Sequence, residues 1–242
     1  MKKHIPNLIT SCNLLCGCIA ITEIAQGNLI TASLLVLLGA FFDFFDGMAA
    51  RLLNVGSPMG AELDSLADVV TFGIVPAYLA HIFLIENNMS GVLAYFPFIL
   101  AAFSAIRLAK FNIDTRQSTS FIGLPTPANA LFWISIPLIG WQVEQNIGVL
   151  SADNILGFLS APWFILTASV LFSYLMVAEL PLLALKFKNL KWSSNKYRWI
   201  LILSSVVLLS VLFFAAIPFI LILYILLSIV ENKHITQHEI QS

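Results

Sequence analysis

The longest uncharged stretch of the chain, residues 199–230, constrains the fold more than any other feature. It contains no Asp, Glu, Lys or Arg, and it exceeds the roughly 20 residues that one helix needs to cross a bilayer. The whole chain of 242 residues is 59% hydrophobic and 10% charged, whereas soluble domains are about 25% charged. This composition excludes an ordinary cytosolic enzyme and predicts an all-α integral membrane protein.

Polar breaks divide the chain into apolar segments that predict a polytopic helical bundle of about eight transmembrane helices. The segments cover residues 8–25, 29–53, 62–85, 91–113, 125–145, 162–184, 198–214 and 216–231. The last two result from dividing the uncharged stretch near Ala215 to Pro218 into a helical hairpin, because that stretch is too long for one perpendicular crossing. One long tilted helix is the alternative.

Positive charge falls on one side of this arrangement. All twelve Lys and Arg residues lie at segment ends on the side of the N-terminus, and short cytoplasmic loops carry such an excess. We therefore expect both termini in the cytoplasm and a location in the cytoplasmic (inner) membrane. The net charge of −1 provides no field for nucleic acid, so the basic segment from Lys186 to Arg198 predicts contact with anionic membrane lipids instead.

Four carboxylates interrupt the second and third apolar segments. Each unpaired Asp at the centre of a membrane helix costs about 2.5–3.5 kcal/mol, and Arg51 is the only basic residue in these two segments. The i,i+3 and i,i+4 spacings place each pair on one helix face, and antiparallel helices would bring the two pairs together. Bound cations are therefore the leading explanation. The four residues are Asp43, Asp46, Asp64 and Asp68.

The ligand type favours hard divalent ions. Four carboxylates with no His or Cys beside them suit two Mg²⁺ or Mn²⁺ ions. Gly47 and Gly60 remove side chains where a phosphate must approach, and Arg51 can complement the remaining phosphate charge. A hydrated vestibule or a proton relay, as in a carboxylate-lined ion transporter, is the alternative interpretation.

The complete pattern runs Asp43-x2-Asp46-Gly47-x2-Ala50-Arg51-x8-Gly60-x3-Asp64-x3-Asp68. It resembles the signature of the CDP-alcohol phosphotransferase family. The resemblance implies a membrane enzyme in which an alcohol attacks the lipid-side phosphorus of a CDP-linked donor and CMP leaves. It also implies that the four Asp residues bind metal and that Asp68 is the general base, although the residues alone do not distinguish Asp68 from Asp64 as base.

The same resemblance implies a site for the CDP-diacylglycerol donor. Gly47, Arg51 and Ser57 stand where the family contacts this donor, and Gly60 belongs to the same signature. In the first segment, Asn7 and Thr10 are expected either to hydrogen-bond the nucleotide or to cap the first helix.

Further blocks resemble bacterial members of the family that use L-serine as acceptor and form phosphatidylserine. They are Ile5 to Thr10, Leu63 to Ala77, Arg107 to Asn112 and Phe121 to Pro127. Because the carboxylate of serine needs a cation, Arg107, Lys110 and Arg116 are candidate ligands, with a role in topology as the alternative. A sister enzyme that uses glycerol 3-phosphate or inositol phosphate is the nearest alternative function.

We expect a single membrane domain over residues 1–242. Residues 5–130 are predicted to form the catalytic helices, residues 131–231 further transmembrane helices, and residues 232–242 a polar tail. The family resemblance also implies a homodimer.

Overall fold

The computed structural model describes residues 2–114, 121–147, 152–183 and 191–241, and most of these residues are helical. The α-helices in these ranges are α1 (Ile5–Ala25), α2 (Leu29–Leu53), α3 (Pro58–Asp68), α4 (Val75–Glu86), α5 (Ile99–Ile113), α6 (Thr126–Glu144), α7 (Ala152–Leu159), α8 (Pro162–Val177), α9 (Trp192–Leu212) and α10 (Ala216–Gln241). A π-helical segment, Val69–Ile74, joins α3 to α4, and 3₁₀ turns occupy Lys2–His4, Val92–Phe98 and Phe213–Ala215. Two short strands, β1 (Phe121–Ile122) and β2 (Pro181–Leu182), pair antiparallel.

A helix occupies each of the eight predicted apolar segments, which confirms the all-α membrane class. Within the described residues, five stretches are long and apolar enough to cross a membrane: Ile5–Ala25, Leu29–Leu53, Pro58–Glu86, Val92–Ile113 and Asn195–Lys233. The number of crossings and the sides of the termini stay predictions. The predicted polar tail is not separate from the last helix, because α10 continues to Gln241.

The structure departs from the sequence-based division into segments at two places. The sixth predicted segment extends to residue 184, but α8 ends at Val177 because Pro181–Leu182 leaves the helix to pair with β1. The polar break before Pro162 contains a further short helix, α7. Pairing between residues about 60 apart and an isolated short helix leave no periodic signal in the sequence.

The last apolar stretch is a helical hairpin. Arg198 Nη1 lies 2.9 Å from Glu231 Oε1, although these residues would be about 50 Å apart along one straight helix. The chain reverses at Phe213, whose φ of 50° is outside the helical range. The hairpin prediction is therefore confirmed, but the break precedes Pro218, which lies in the first turn of α10, where proline is tolerated.

A single amide side chain of α6 holds the turn of this hairpin. Gln142 Oε1 accepts hydrogen bonds from the backbone N–H groups of Phe214 (2.9 Å) and Ala215 (3.4 Å). Its Nε2 donates to the carbonyl oxygen of Leu212 at 3.0 Å. These bonds satisfy backbone groups that the break leaves without helical partners.

Close packing of α1 and α2 against the π-helical segment sets the positions of the acidic residues. A Cβ on Gly17 would lie 2.5 Å from Thr71 Oγ1, and one on Gly39 would lie 2.8 Å from Thr71 Cγ2. Thr71 is fully buried and donates a 3.0 Å hydrogen bond to the carbonyl oxygen of Asn13. Small residues let membrane helices approach this closely, so α1, α2 and the π-helical segment pack tightly just after Asp68, the last residue of α3.

Candidate active site

Three carboxylates from two helices converge at one end of the bundle. Asp43 of α2 and Asp64 and Asp68 of α3 offer oxygen atoms that all lie within 4.8 Å of one another. The turn between the helices makes this possible, because Asn54, directly after α2, adopts the left-handed conformation and Ser57 Oγ accepts a 3.1 Å hydrogen bond from the Gly60 N–H to cap α3. The sequence prediction that the two helices bring their acidic residues face to face is borne out for these three.

The donor chemistry of this cluster fits divalent cations. Among the residues that the structure describes, none of the three forms an ion pair with Lys, Arg or His. Asp64 Oδ1 is buried without a hydrogen-bond partner, and Asp68 is only 7% exposed. Buried carboxylates are stable when paired or when they coordinate metal ions, so these residues have the character of a metal site.

Asp46 lies one helical turn after Asp43 and is 5% exposed. Thr10 Oγ1 of α1 donates a 2.5 Å hydrogen bond to its Oδ2. Asp46 is not part of the group of three within 4.8 Å, but it faces a neighbouring cavity together with Asp64. The structure therefore brings all four predicted acidic residues to one region, with Asp46 at its edge.

That cavity, the polar cavity, has a volume of about 200 Å³ between α1, α2 and the start of α3. Its lining residues are Pro6, Asn7, Thr10, Asp46, Gly47, Ala50, Val55, Gly56, Ser57, Gly60, Ala61 and Asp64. Five of the six residues predicted to contact the donor are among them. The exception is Arg51, which is exposed in the last turn of α2.

The two glycines of this cavity have different reasons to lack a side chain. A Cβ on Gly60 would lie 3.2 Å from both Asn7 Oδ1 and Ser57 Oγ, so packing within the protein already restricts this position. A Cβ on Gly47 would meet no atom within 4 Å. Packing therefore does not require glycine at residue 47. The lack of a side chain there keeps the polar cavity open.

The alternative that Asn7 and Thr10 cap the first helix is wrong. His4 is the N-cap of α1 and makes no side-chain capping bond, so both residues lie inside the helix. The structure also reveals a residue that the sequence analysis missed: Asn13 Nδ2 donates a 3.1 Å hydrogen bond to Asp68 Oδ1. Asn13 is three residues after Thr10 in an apolar helix, and this spacing was the available signal.

Of the three cations predicted to bind the carboxylate of the acceptor, Arg107 of α5 fits that role best. It is only 7% exposed, and its Nε is buried without a hydrogen-bond partner. Its guanidinium lies over the ring of Phe111 at 5.5 Å and close enough to Asp68 for electrostatic interaction. Lys110 is exposed on the same helix, and Arg116 lies outside the described residues.

One further polar contact near α5 escaped sequence analysis. Asn112 Nδ2 donates to Ser65 Oγ at 3.0 Å and to Glu62 Oε1 at 3.4 Å. These exposed bonds connect α5 to α3 next to the carboxylate cluster. Contacts between residues about 50 apart in the chain have no spacing signature.

The fold and the site together define an all-α membrane protein with a carboxylate cluster suited to divalent metal ions. Comparison with known families gives the more specific assignment: the chain belongs to the CDP-alcohol phosphatidyltransferase family, which matches residues 3–175. The acidic cluster and the polar cavity lie inside the matched region, whereas the α9–α10 hairpin lies outside it.

Several relatives carry the name CDP-diacylglycerol–serine O-phosphatidyltransferase. The chain is 44% identical to the protein of this name from Bacillus subtilis (strain 168) over 126 residues, which are 52% of this chain and 70% of the relative. It is 34% identical to the one from Helicobacter pylori (strain ATCC 700392 / 26695) over 204 residues, which are 84% and 80% of the two chains. A relative from Methanocaldococcus jannaschii is 39% identical over 131 residues, which are 54% and 58% of the two chains.

Proposed function

We propose that the protein transfers a phosphatidyl group from CDP-diacylglycerol to the hydroxyl of L-serine, forming phosphatidylserine and CMP. The observation that carries this proposal is the convergence of Asp43, Asp64 and Asp68 beside the polar cavity, inside the region that matches the family. The names of the relatives favour L-serine over glycerol 3-phosphate or inositol phosphate as the acceptor.

The polar cavity is the proposed site for the cytidine diphosphate part of the donor. Asn7, Thr10 and Ser57 line it with hydrogen-bonding groups, and Gly47 and Gly60 leave backbone within reach of a phosphate. Arg51 is exposed at the end of α2. We place it at the mouth of the polar cavity, where its guanidinium can pair with a phosphate of the donor.

Asp43, Asp46, Asp64 and Asp68 are proposed to hold two divalent cations, Mg²⁺ or Mn²⁺. When bound, such ions offset the negative charge of the pyrophosphate and of the departing CMP. Thr10 fixes the orientation of Asp46, and Asn13 fixes that of Asp68. Hydrogen bonds to metal-binding carboxylates commonly tune metal affinity in this way.

Asp68 is the proposed general base. Asn13 occupies Oδ1 of this carboxylate, which leaves Oδ2 to accept the proton of the serine hydroxyl. The serine oxygen then forms a bond to the lipid-side phosphorus, and the bond from that phosphorus to the oxygen of CMP breaks. Base catalysis is needed because a neutral hydroxyl is a weak nucleophile.

Arg107 is the proposed partner of the serine carboxylate. Its buried Nε has an unused hydrogen, and its guanidinium interacts electrostatically with Asp68, so serine is proposed to bind with its carboxylate at Arg107 and its hydroxyl at Asp68. Lys110 and Arg116 are further proposed ligands of the serine carboxylate. The position of Arg107 and Lys110 in the second half of α5 also supports a site that opens to the cytoplasm.

The same proposal includes the domain organisation, the location, the topology and the oligomeric state of the protein. The protein is a single membrane domain in the cytoplasmic membrane, crosses it about eight times with both termini inside, and acts as a homodimer. The one-sided distribution of the twelve cations supports the topology, and the family supports the dimer.

Release of CMP by the purified protein in detergent tests the reaction. The donor CDP-diacylglycerol and Mg²⁺ or Mn²⁺ are supplied with L-serine, glycerol 3-phosphate, inositol phosphate or no acceptor. We expect release that requires L-serine and a divalent cation, together with formation of phosphatidylserine. Release only with another alcohol would overturn the acceptor, and the absence of release with every acceptor would overturn the reaction.

A further inference from the structure

A second and larger open space lies away from the carboxylates. It is a cleft of about 620 Å³ between the start of α6 and the α9–α10 hairpin, here the apolar cleft. Of its fourteen lining residues, only Ser205 and Tyr224 have polar side chains, and none is charged. The Tyr224 hydroxyl is already engaged, because it donates to the carbonyl oxygen of Leu183 at 3.2 Å. The volume lies within the range of small-molecule sites, about 300–1,000 Å³.

The lining excludes most classes of ligand. A nucleotide, a phosphate or a zwitterion requires charged or hydrogen-bonding partners, and the cleft offers almost none. Two of its walls, α9 and α10, form the apolar stretch Asn195–Lys233, which is long enough to lie in a membrane. The ligand chemistry that fits both facts is a hydrocarbon chain that enters from the bilayer.

Electrostatic interactions relate the apolar cleft to the proposed reacting groups. Tyr224 lines the cleft and lies close enough to Arg107 for electrostatic interaction. Arg107 in turn interacts with Asp68. Pro125 and Pro127, at the start of α6, form the opposite wall. A lipid whose phosphate lies at the carboxylates would therefore direct a chain toward the side of Arg107 and Tyr224, where this space begins.

We propose that the apolar cleft binds one acyl chain of the diacylglycerol part of the donor. The inference rests on the proposed function for the identity of that donor. It assigns a role to the α9–α10 hairpin, which the family match to residues 3–175 does not include. The hairpin thereby selects donors by chain length and leaves the acceptor and the cations to the other helices.

Two neighbouring valines of α9 provide a matched test. Val206 lines the cleft and Val207 does not, yet their side chains are exposed to nearly the same extent, 60% and 61%. We expect Val206→Trp to raise the KM for a long-chain CDP-diacylglycerol about tenfold, equivalent to roughly two methylenes kept out of the cleft. The KM for dioctanoyl CDP-diacylglycerol and the KM for L-serine should stay the same. Val207→Trp should change none of these values, and equal effects of the two variants would overturn the proposal.

Photolabelling tests the same site without turnover. A CDP-diacylglycerol with a diazirine at the end of one acyl chain should label peptides of α6 and α9, and Val206→Trp should reduce this labelling where Val207→Trp does not. Unlabelled CDP-diacylglycerol should compete, whereas long-chain phosphatidylcholine should not. Equal competition by both lipids would overturn the assignment to the donor. Labelling of the cleft without serine-dependent CMP release would instead overturn only the proposed acceptor chemistry.

Discussion

The polar cavity and the apolar cleft are built by opposite means. Carboxylates, hydroxyls and glycines of α1 to α3 form the former, at spacings that are visible in the chain. The latter is bounded by aliphatic side chains that differ little from those facing lipid elsewhere. A polar site can therefore be recognised from residue type and spacing in the sequence, whereas a space for a hydrocarbon chain depends only on how the helices pack. Mutations in the two regions should have separable effects, because each region is proposed to contact a different substrate or a different part of the same substrate.

The largest expected effect is on the polar side, from Asp68→Asn. Loss of the proposed general base should lower kcat for CMP release about 10³-fold with little change in melting temperature. Glu86→Gln is the matched control, because Glu86 is an exposed carboxylate at the other end of the same helical run, and it should retain full activity. A loss below about tenfold for Asp68→Asn would move the base to another residue, Asp64 being the first to test.

The next largest effect distinguishes the two kinds of glycine. Gly47→Ala adds a methyl group to the polar cavity without a clash, so activity should fall about 100-fold through misplacement of the donor while stability is unchanged. Gly39→Ala would place a Cβ 2.8 Å from Thr71 Cγ2, and overpacking of this kind costs about 1–3 kcal/mol of stability. Thermal unfolding and CMP release, measured on both variants, check this. A destabilised Gly47→Ala protein would contradict the assignment.

A smaller and more selective effect is expected from Arg107→Lys. The ammonium group keeps the charge but loses the planar pair of donors for a carboxylate, so the KM for L-serine should rise about tenfold. The KM for both long-chain and dioctanoyl CDP-diacylglycerol should be unaffected. If the KM for the donor rises instead, Arg107 contacts the phosphates and the proposed serine pocket lies elsewhere.

The smallest effect on activity is expected from Gln142→Leu, on the side of the hairpin. This substitution leaves three backbone groups of the turn without their side-chain partner, which destabilises the hairpin by about 1–3 kcal/mol. Hydrogen exchange of residues 212–216 should accelerate. With dioctanoyl donor the rate of CMP release should stay within about twofold, since Gln142 belongs to neither the carboxylate cluster nor the lining of the polar cavity. Equal losses in this variant and in Gly47→Ala would show that the two regions are not separable.

The sequence predicted the parts of the structure that follow from helical periodicity. A helix lies in each predicted apolar segment, and Asp64 and Asp68 face Asp43 because i,i+4 residues share one face of a helix. Contacts between distant segments were missed, such as Asn13 with Asp68 and β1 with β2. Such pairs depend on the packing of helices in three dimensions, which no spacing within a single helix reports.

The break in the hairpin shows a second physical limit. Pro218 suggested the turn, but the reversal lies at Phe213, where Gln142 of α6 supplies the partners for the free backbone groups. A proline marks positions where a helix can begin as readily as positions where it ends. The position of the break depends on Gln142, which lies 71 positions before Phe213 and is therefore invisible to any analysis of neighbouring residues.

The close fit of Gly17 and Gly39 around Thr71 has a consequence for folding equilibria. Because these helices pack so tightly, they cannot separate to relieve the repulsion among the neighbouring carboxylates. This repulsion therefore raises the free energy of the folded state but not that of the unfolded state. A cation that binds between them removes this repulsion only in the folded protein, and it therefore shifts the equilibrium toward folding by mass action. The supply of divalent ions in the cell would then govern how much of the protein persists in the membrane, as well as how fast it works.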